Sequence, residues 1–159
     1  MIWTPHATVA TIVEQNQRFL LVEELSHGRR VFNQPAGHVD ENESIFDAAV
    51  RETLEETGWK VQLTGFTGTY IYQAPENGVT YYRFCFKAKA EKRITDQLDN
   101  DILAAHWMDL RQIKQLGEQL RSPLVIKCIE DALHRPALPL EWIYEHPLAD
   151  NRNQKSATG

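Results

Sequence analysis

Apolar residues fall in short β-branched runs along most of the chain and take up a helical period in one strongly charged stretch. Residues 7–14, ATVATIVE, and 18–24, RFLLVEE, are rich in Val, Ile, Thr and Phe, and the polar Gln15-Asn16-Gln17 between them predicts a hairpin. Residues 26–30 read as a loop, and 31–35 lead into a bend bracketed by Pro35 and Gly37. Residues 59–73 alternate apolar positions with turns, Pro75-Glu76-Asn77-Gly78 supplies a further turn, and 79–88 continue as strand, which predicts a second hairpin. The polar and acidic 91–101 predict a loop, and 102–108 a short strand carrying Trp107. Helices follow near 109–116 and 122–134, and Pro136, Pro139 and Pro147 then end regular structure.

The period changes at residue 44. Ser44 can cap a helix, Asp47 stands three residues later, and good helix formers continue until Gly58 provides a stop, so a helix over 44–57 is expected. At about 100° per residue, Phe46, Ala49, Val50, Thr53, Leu54 and Thr57 share an apolar stripe, with Glu52, Glu55 and Glu56 on the adjoining arc. Glu52 and Glu56 stand at i,i+4, where like charges cost on the order of 0.3 kcal/mol, and Glu55 and Glu56 lie at the negative end of the helix dipole. A bound cation would relieve that repulsion. Carboxylate oxygens suit Mg²⁺, which commonly sits between one or two protein carboxylates and a substrate phosphate. Strands, one central helix, more strands and a C-terminal helix predict an α/β fold with a mixed sheet covered by helices on both faces.

The stretch GHVDENESIFDAAVRETLEETGW, residues 37–59, has the spacing Gly, five residues, Glu, seven residues, Arg-Glu-apolar-x-Glu-Glu-x-Gly-apolar. It resembles the box of the Nudix hydrolase family at Gly37, Glu43, Arg51, Glu52, Glu55, Glu56, Gly58 and Trp59; Thr53 stands at the first apolar position. Fixed identities at about 7% background recur together by chance on the order of once in 10⁸ windows. The segments NQPAGH, residues 33–38, and RSPLV, residues 121–125, further resemble a bacterial phosphatase branch of that family.

The resemblance implies an α/β/α sandwich and a Mg²⁺-dependent hydrolase, with Mn²⁺ as a substitute, that cleaves a diphosphate linked to another group. It carries the metal-ligand role onto Glu52, Glu55 and Glu56 and makes the Gly37 carbonyl a fourth candidate. Glu43 and Arg51 would support that face, Arg51 through structure or catalysis, and Asp47 would share the ion pairing. An acid in the loop before a Trp-bearing strand is a further ligand or base: Asp101 first, then Asp99. The general base stays open among Glu52, Glu55, Glu56 and Asp101. Position alone nominates Arg30, Asn33, Gln34 and Arg83 for substrate, arginine being suited to phosphate by its planar fork. Among Tyr70, Tyr72, Tyr81, Tyr82 and Phe84 most rings should serve packing, although one could stack on a base.

The phosphatase branch implies nucleoside di- and triphosphates, and the pyrophosphorylated pyrimidine precursor of thiamine, with inorganic phosphate as a product. Two alternatives stay open: an ADP-ribose-type pyrophosphatase, favoured by Pro75 sixteen residues after Trp59, and a Nudix-fold sensor that binds nucleotide without hydrolysis.

With 159 residues the chain fits one domain, expected over 1–148 with a loose tail over 149–159. A net charge of −5 argues against a general nucleic-acid binder, but not against a phosphate ligand, because a bound metal inverts the local charge. Cys85 and Cys128 have no metal or redox spacing and read as buried thiols in a reducing compartment. No run approaches a membrane span and residues 1–9, MIWTPHATV, lack a leader pattern, so a cytoplasmic protein, monomer or homodimer, acting on a small phosphorylated molecule is expected.

Overall fold

The two-residue turn at Asn16 and Gln17, both with positive φ (52° and 62°), reverses the chain in the sense that suits twisted strands. It joins β1 (His6–Gln15) to β2 (Arg18–Ser26), yet the two pair only at Glu14–Phe19 and Gln15–Arg18. The expected hairpin therefore forms at its tip and then splays, sending each strand into its own half of the sheet. β1 runs parallel to β6 (Thr80–Arg93) from His6–Tyr81 to Val13–Ala88, and β6 pairs antiparallel with β5 (Trp59–Gln73). β2 pairs antiparallel with β3 (Arg29–Asn33) and with β7 (Ile102–Asp109), while the short β4 (Ala36–His38) adds to the other edge of β1. This is a computed structural model, and it describes residues 1–148; the tail expected over 149–159 lies outside them.

The sheet is mixed and covered on both faces, as predicted. The strand alternation of β1 divides the core. Val9, Thr11 and Val13 point to α1 (Ile45–Thr57), where Val9 and Phe86 meet Ala48 and Ala49, and Thr11 shares a 2.8 Å hydroxyl hydrogen bond with Thr53. Ala10 and Ile12 point the other way, to Val125, Cys128 and Ile129 of α3 (Leu124–His134) and Ile113 of α2 (Leu110–Gln115). Both thiols are free and buried in this second layer. Thr53 thus sits in the box's apolar position with its hydroxyl satisfied by Thr11 and by the Ala49 carbonyl at 2.7 Å.

Three predicted boundaries move. Residues 29 and 30 belong to β3 rather than to a loop; 59–73 form one strand in which register shifts absorb the positions that read as turns; and β6 continues to Arg93. On α1 the buried set is Ala48, Ala49, Thr53, Glu56 and Thr57, so Leu54 is only half-buried and an acid takes an inward position.

The ends of α1 are anchored to distant segments. Ser44 accepts from the Phe46 N–H and donates to Glu145. At the other end Gly58 has φ +75°, and its carbonyl accepts from the Ile94 N–H at 2.7 Å. The segment after β6 therefore lies directly on the helix terminus, where the Asp99 N–H donates to the Glu55 carbonyl at 3.0 Å. Past α2, Leu120 bridges to Phe32 and the Arg121 N–H donates to the Phe32 carbonyl at 2.8 Å, fastening this segment to the outer edge of β3.

A Cβ on Gly58 would lie 2.0 Å from the Thr95 carbonyl oxygen, besides the strain of a left-handed backbone. Gly58→Ala should destabilise the protein by at least about 1 kcal/mol, read by thermal or urea unfolding. An unchanged melting curve would refute this account of the contact.

Candidate active site

The acidic face predicted on α1 divides in two. One oxygen from each of Glu52, Glu55 and Asp99 can be chosen so that all three lie within 4.8 Å of one another. Glu56, on the inward arc, is instead 7% exposed; its Oε2 accepts from the Ala36 N–H at 3.1 Å, and it faces Glu24 of β2. Glu52 belongs to both neighbourhoods, since it also lines the pocket beside Glu56 and Glu24. Asp99, the second choice from sequence, is the one that reaches the helix. Asp101 is exposed and outside this group, because its backbone carbonyl is drawn to the Leu25 N–H at 3.0 Å, on β2.

Arg51 bridges the carboxylates and offsets their repulsion. Its guanidinium donates to Glu43 at 2.6 and 2.9 Å, to Glu52 at 2.9 Å, to Glu55 at 3.0 Å and to the His38 carbonyl at 3.1 Å, with Asp40 at 3.5 Å. Asp47, expected to share the pairing, is exposed and makes no ion pair among the described residues; Asp40 and Glu43 take that place. The hydrogen bonds from Arg51 hold Glu43 below the usual carboxylate range, and the Glu43 hydrogen bond leads the contacts that raise Arg51. Burial raises Glu52 despite Arg51, and burial, then the charge of Glu24, pushes Glu56 up to about 9.

Gly37 of β4 makes room for this face. A Cβ there would lie 2.1 Å from the carboxyl carbon of Glu52, so the backbone approaches the acid as only glycine allows.

Of these groups Glu24, Gly37, Glu52 and Glu56 line a cavity of about 520 Å³. Asn33 and Arg83 line it, as the sequence suggested. Gln34 lies one layer behind: 1% exposed, it donates to the Val125 carbonyl at 2.6 Å and accepts from Arg83 at 3.0 Å. Arg30 is a correction. Strand alternation puts Arg29, Val31 and Asn33 on the cavity face, whereas Arg30 points away and pairs with Glu23 at 3.0 Å. The period of two was the missed signal, since Asn33 and Arg30 cannot share a face. Glu24 and Arg121, ion-paired across the cavity wall, were also missed, although adjacent acids at Glu23 and Glu24 on an apolar strand require one to point inward.

The NUDIX domain model matches residues 4–127. The chain belongs to the Nudix family. This Nudix hydrolase is 37% identical over 143 residues to Phosphatase NudJ of Escherichia coli strain K12, spanning 89% of this chain and 92% of that protein. It is 39% identical to a Nudix hydrolase of Nitrosomonas europaea, with a TM-score of 0.87 covering 90% of this chain and 98% of that one. An ADP-ribose pyrophosphatase of Streptococcus suis shares the fold at TM-score 0.65 with 17% identity, over 85% and 96% of the two chains. Its box and these relatives make the protein a hydrolase of phosphoric anhydride bonds. No helix among the described residues is long and apolar enough to cross a membrane.

An acid whose pKa is raised on folding stabilises the fold fully below its unfolded pKa and loses that contribution as pH rises through the folded value. For Glu56 that window runs from its ordinary value of 4.5 to about 9. In chelator, the melting temperature of the wild type should fall between pH 5 and 9 relative to that of Glu56→Gln; parallel curves for the two proteins would overturn the assignment.

Proposed function

We propose that this Nudix hydrolase is a Mg²⁺-dependent phosphatase of nucleoside tri- and diphosphates, able also to accept the pyrophosphorylated pyrimidine precursor of thiamine. The observation that carries the reading is the convergence of Glu52, Glu55 and Asp99 beside a cavity that also holds Arg29, Arg83 and Arg121. The donor set fits the ion: carboxylate oxygens without imidazole or thiolate are what a hard divalent cation takes, and Mn²⁺ accepts the same set. The buried Glu56 fits it too, since a nearby cation favours its ionised form. We take Glu52, Glu55 and Asp99 as the ligands, with the backbone at Gly37 close enough to Glu52 to contribute and Glu56 standing beside them without a ligand role.

When bound, the metal supplies charge neutralisation on the phosphate chain and a more acidic water. The remaining work falls to the chain. Arg83, held by Asn33 and Gln34, presents a planar fork to phosphate, and Arg29 and Arg121 add positive charge on the opposite wall. Glu56 is our choice for the proton acceptor, because Ala36 occupies its Oε2 and leaves Oε1 for a proton. Arg51 positions Glu52 and Glu55 and does not touch the reacting atoms in this scheme. Asp101 drops out of it.

The alternative, ADP-ribose cleavage, stays open: Pro75 opens a turn in which the Gly78 N–H donates to the Ala74 carbonyl, and its neighbours Ala74, Glu76 and Asn77 line the cavity. Product analysis separates the two, since the phosphatase releases inorganic phosphate and the pyrophosphatase a nucleoside monophosphate.

Glu55→Gln and Glu56→Gln should each lower Mg²⁺-dependent phosphate release by about 100-fold or more while leaving the fold intact by circular dichroism. Full activity of both variants in excess Mg²⁺ would sink the assignment. Separately, millimolar Mg²⁺ should raise the wild-type melting temperature by mass action, and no shift with either Mg²⁺ or Mn²⁺ would count against a preformed site.

A further inference from the structure

We propose that Tyr81, Tyr72 and His38 form an aromatic shelf that grips a planar heterocycle on the substrate and thereby selects which phosphorylated compounds are accepted. This rests on the cavity being the substrate site, and it goes further by assigning a role to the part of the cavity that β4, β5 and β6 line.

The pairing of four strands gathers these rings. His6 of β1 stands opposite Tyr81 of β6, Tyr81 opposite Tyr72 of β5, and His38 of β4 opposite Thr8 of β1. All lie at one end of the sheet, and Tyr72, Tyr81 and His38 line the cavity. Tyr81 and His38 are held in orientation by their neighbours. Tyr81 meets His6 and His38 edge-on, at 5.6 and 6.2 Å between centroids. His6 Nδ1 and His38 Nε2 are 3.1 Å apart, one donating to the other, and the Asn77 side-chain amide donates to the Tyr81 hydroxyl at 3.1 Å. Asn77 is in turn held by the Val79 N–H at 2.9 Å.

None of these rings is needed by the core. Tyr70, two residues from Tyr72 and deeper along the same face, is buried in the apolar cluster and donates to Asp131; Tyr72 and Tyr81 are only half-buried and join no core cluster. Rings held in place but left open to a cavity are preorganised for a flat partner, and stacking tolerates any base because every base has a π-face. The same cavity is lined by Arg29, Arg83 and Arg121, suited to the phosphate chain, and by Glu52 and Glu56 of α1. One cavity therefore offers rings for a base and cations for its phosphates.

The test compares ligands with and without a ring. Dissociation constants for a purine and a pyrimidine nucleoside triphosphate, and for inorganic tripolyphosphate, are measured by calorimetry for wild type, Tyr81→Ala, Tyr81→Phe and His38→Ala. Binding of the nucleotides should weaken about tenfold in Tyr81→Ala and His38→Ala, the size of a lost base–aromatic stack, with Tyr81→Phe close to wild type. The affinity for tripolyphosphate should move by less than about twofold. Nucleotide affinity unchanged in both alanine variants, or nucleotide and tripolyphosphate weakening together, would overturn the shelf. Wild-type protein that binds nucleotide without releasing phosphate would instead overturn the proposed activity and leave the shelf standing.

Discussion

Repulsion among carboxylates is the constraint around which this molecule is arranged. Glu52, Glu55 and Glu56 share the last turns of α1, Glu43 and Asp40 approach from the preceding loop, and Glu24 and Asp99 close in from two other segments. Each like-charged helical pair costs only a few tenths of a kcal/mol in water, but burial removes the screening that keeps the cost low. Arg51 answers on the solvent side of α1, binding Glu43, Glu52 and Glu55 together and reaching the His38 carbonyl as well. The loop that ends in Glu43, the short β4 and the acidic helix are thereby one assembly. On the inner side Glu56 is buried and faces Glu24, and burial first, then that charge, favours its protonated form.

Steric room is the second constraint, and glycine supplies it at two places. At Gly37 the strand backbone lies against Glu52, and at Gly58 the Thr95 carbonyl rests where a side chain would begin. The first brings main chain to the acids; the second seats the segment that carries Asp99. Both glycines of the box thus serve approach of one chain segment to another, and the left-handed conformation at Gly58 comes with that contact.

Local signals in the sequence were strong wherever a structure is decided locally. The Ser44 cap, the Gly58 stop and the Asn16-Gln17 turn are each fixed by the chemistry of a few adjacent residues, and the structure has them in place. Pairing across long separations was not legible. Nothing in 91–101 says that the Asp99 N–H will meet the Glu55 carbonyl while the Asp101 carbonyl meets β2, yet those two hydrogen bonds decide which acid joins the helix. Arg30 failed for a different reason: the loop assigned to 26–30 hid a strand whose alternation selects Arg29. Glu24 and Arg121, nearly a hundred residues apart, meet only because the segment after α2 returns to β3.

That return has a consequence for solubility. β3 is the outermost strand of its half-sheet, and an open edge of this kind offers unpaired backbone groups to any other extended chain. Leu120 and Arg121 occupy part of that edge through the Phe32 bridge and hydrogen bond, with the Arg121 side chain fastened to Glu24. Leu120 and Arg121 therefore cover part of an edge that would otherwise be free to pair with another chain, and Arg121 alone also brings a cation to the cavity wall.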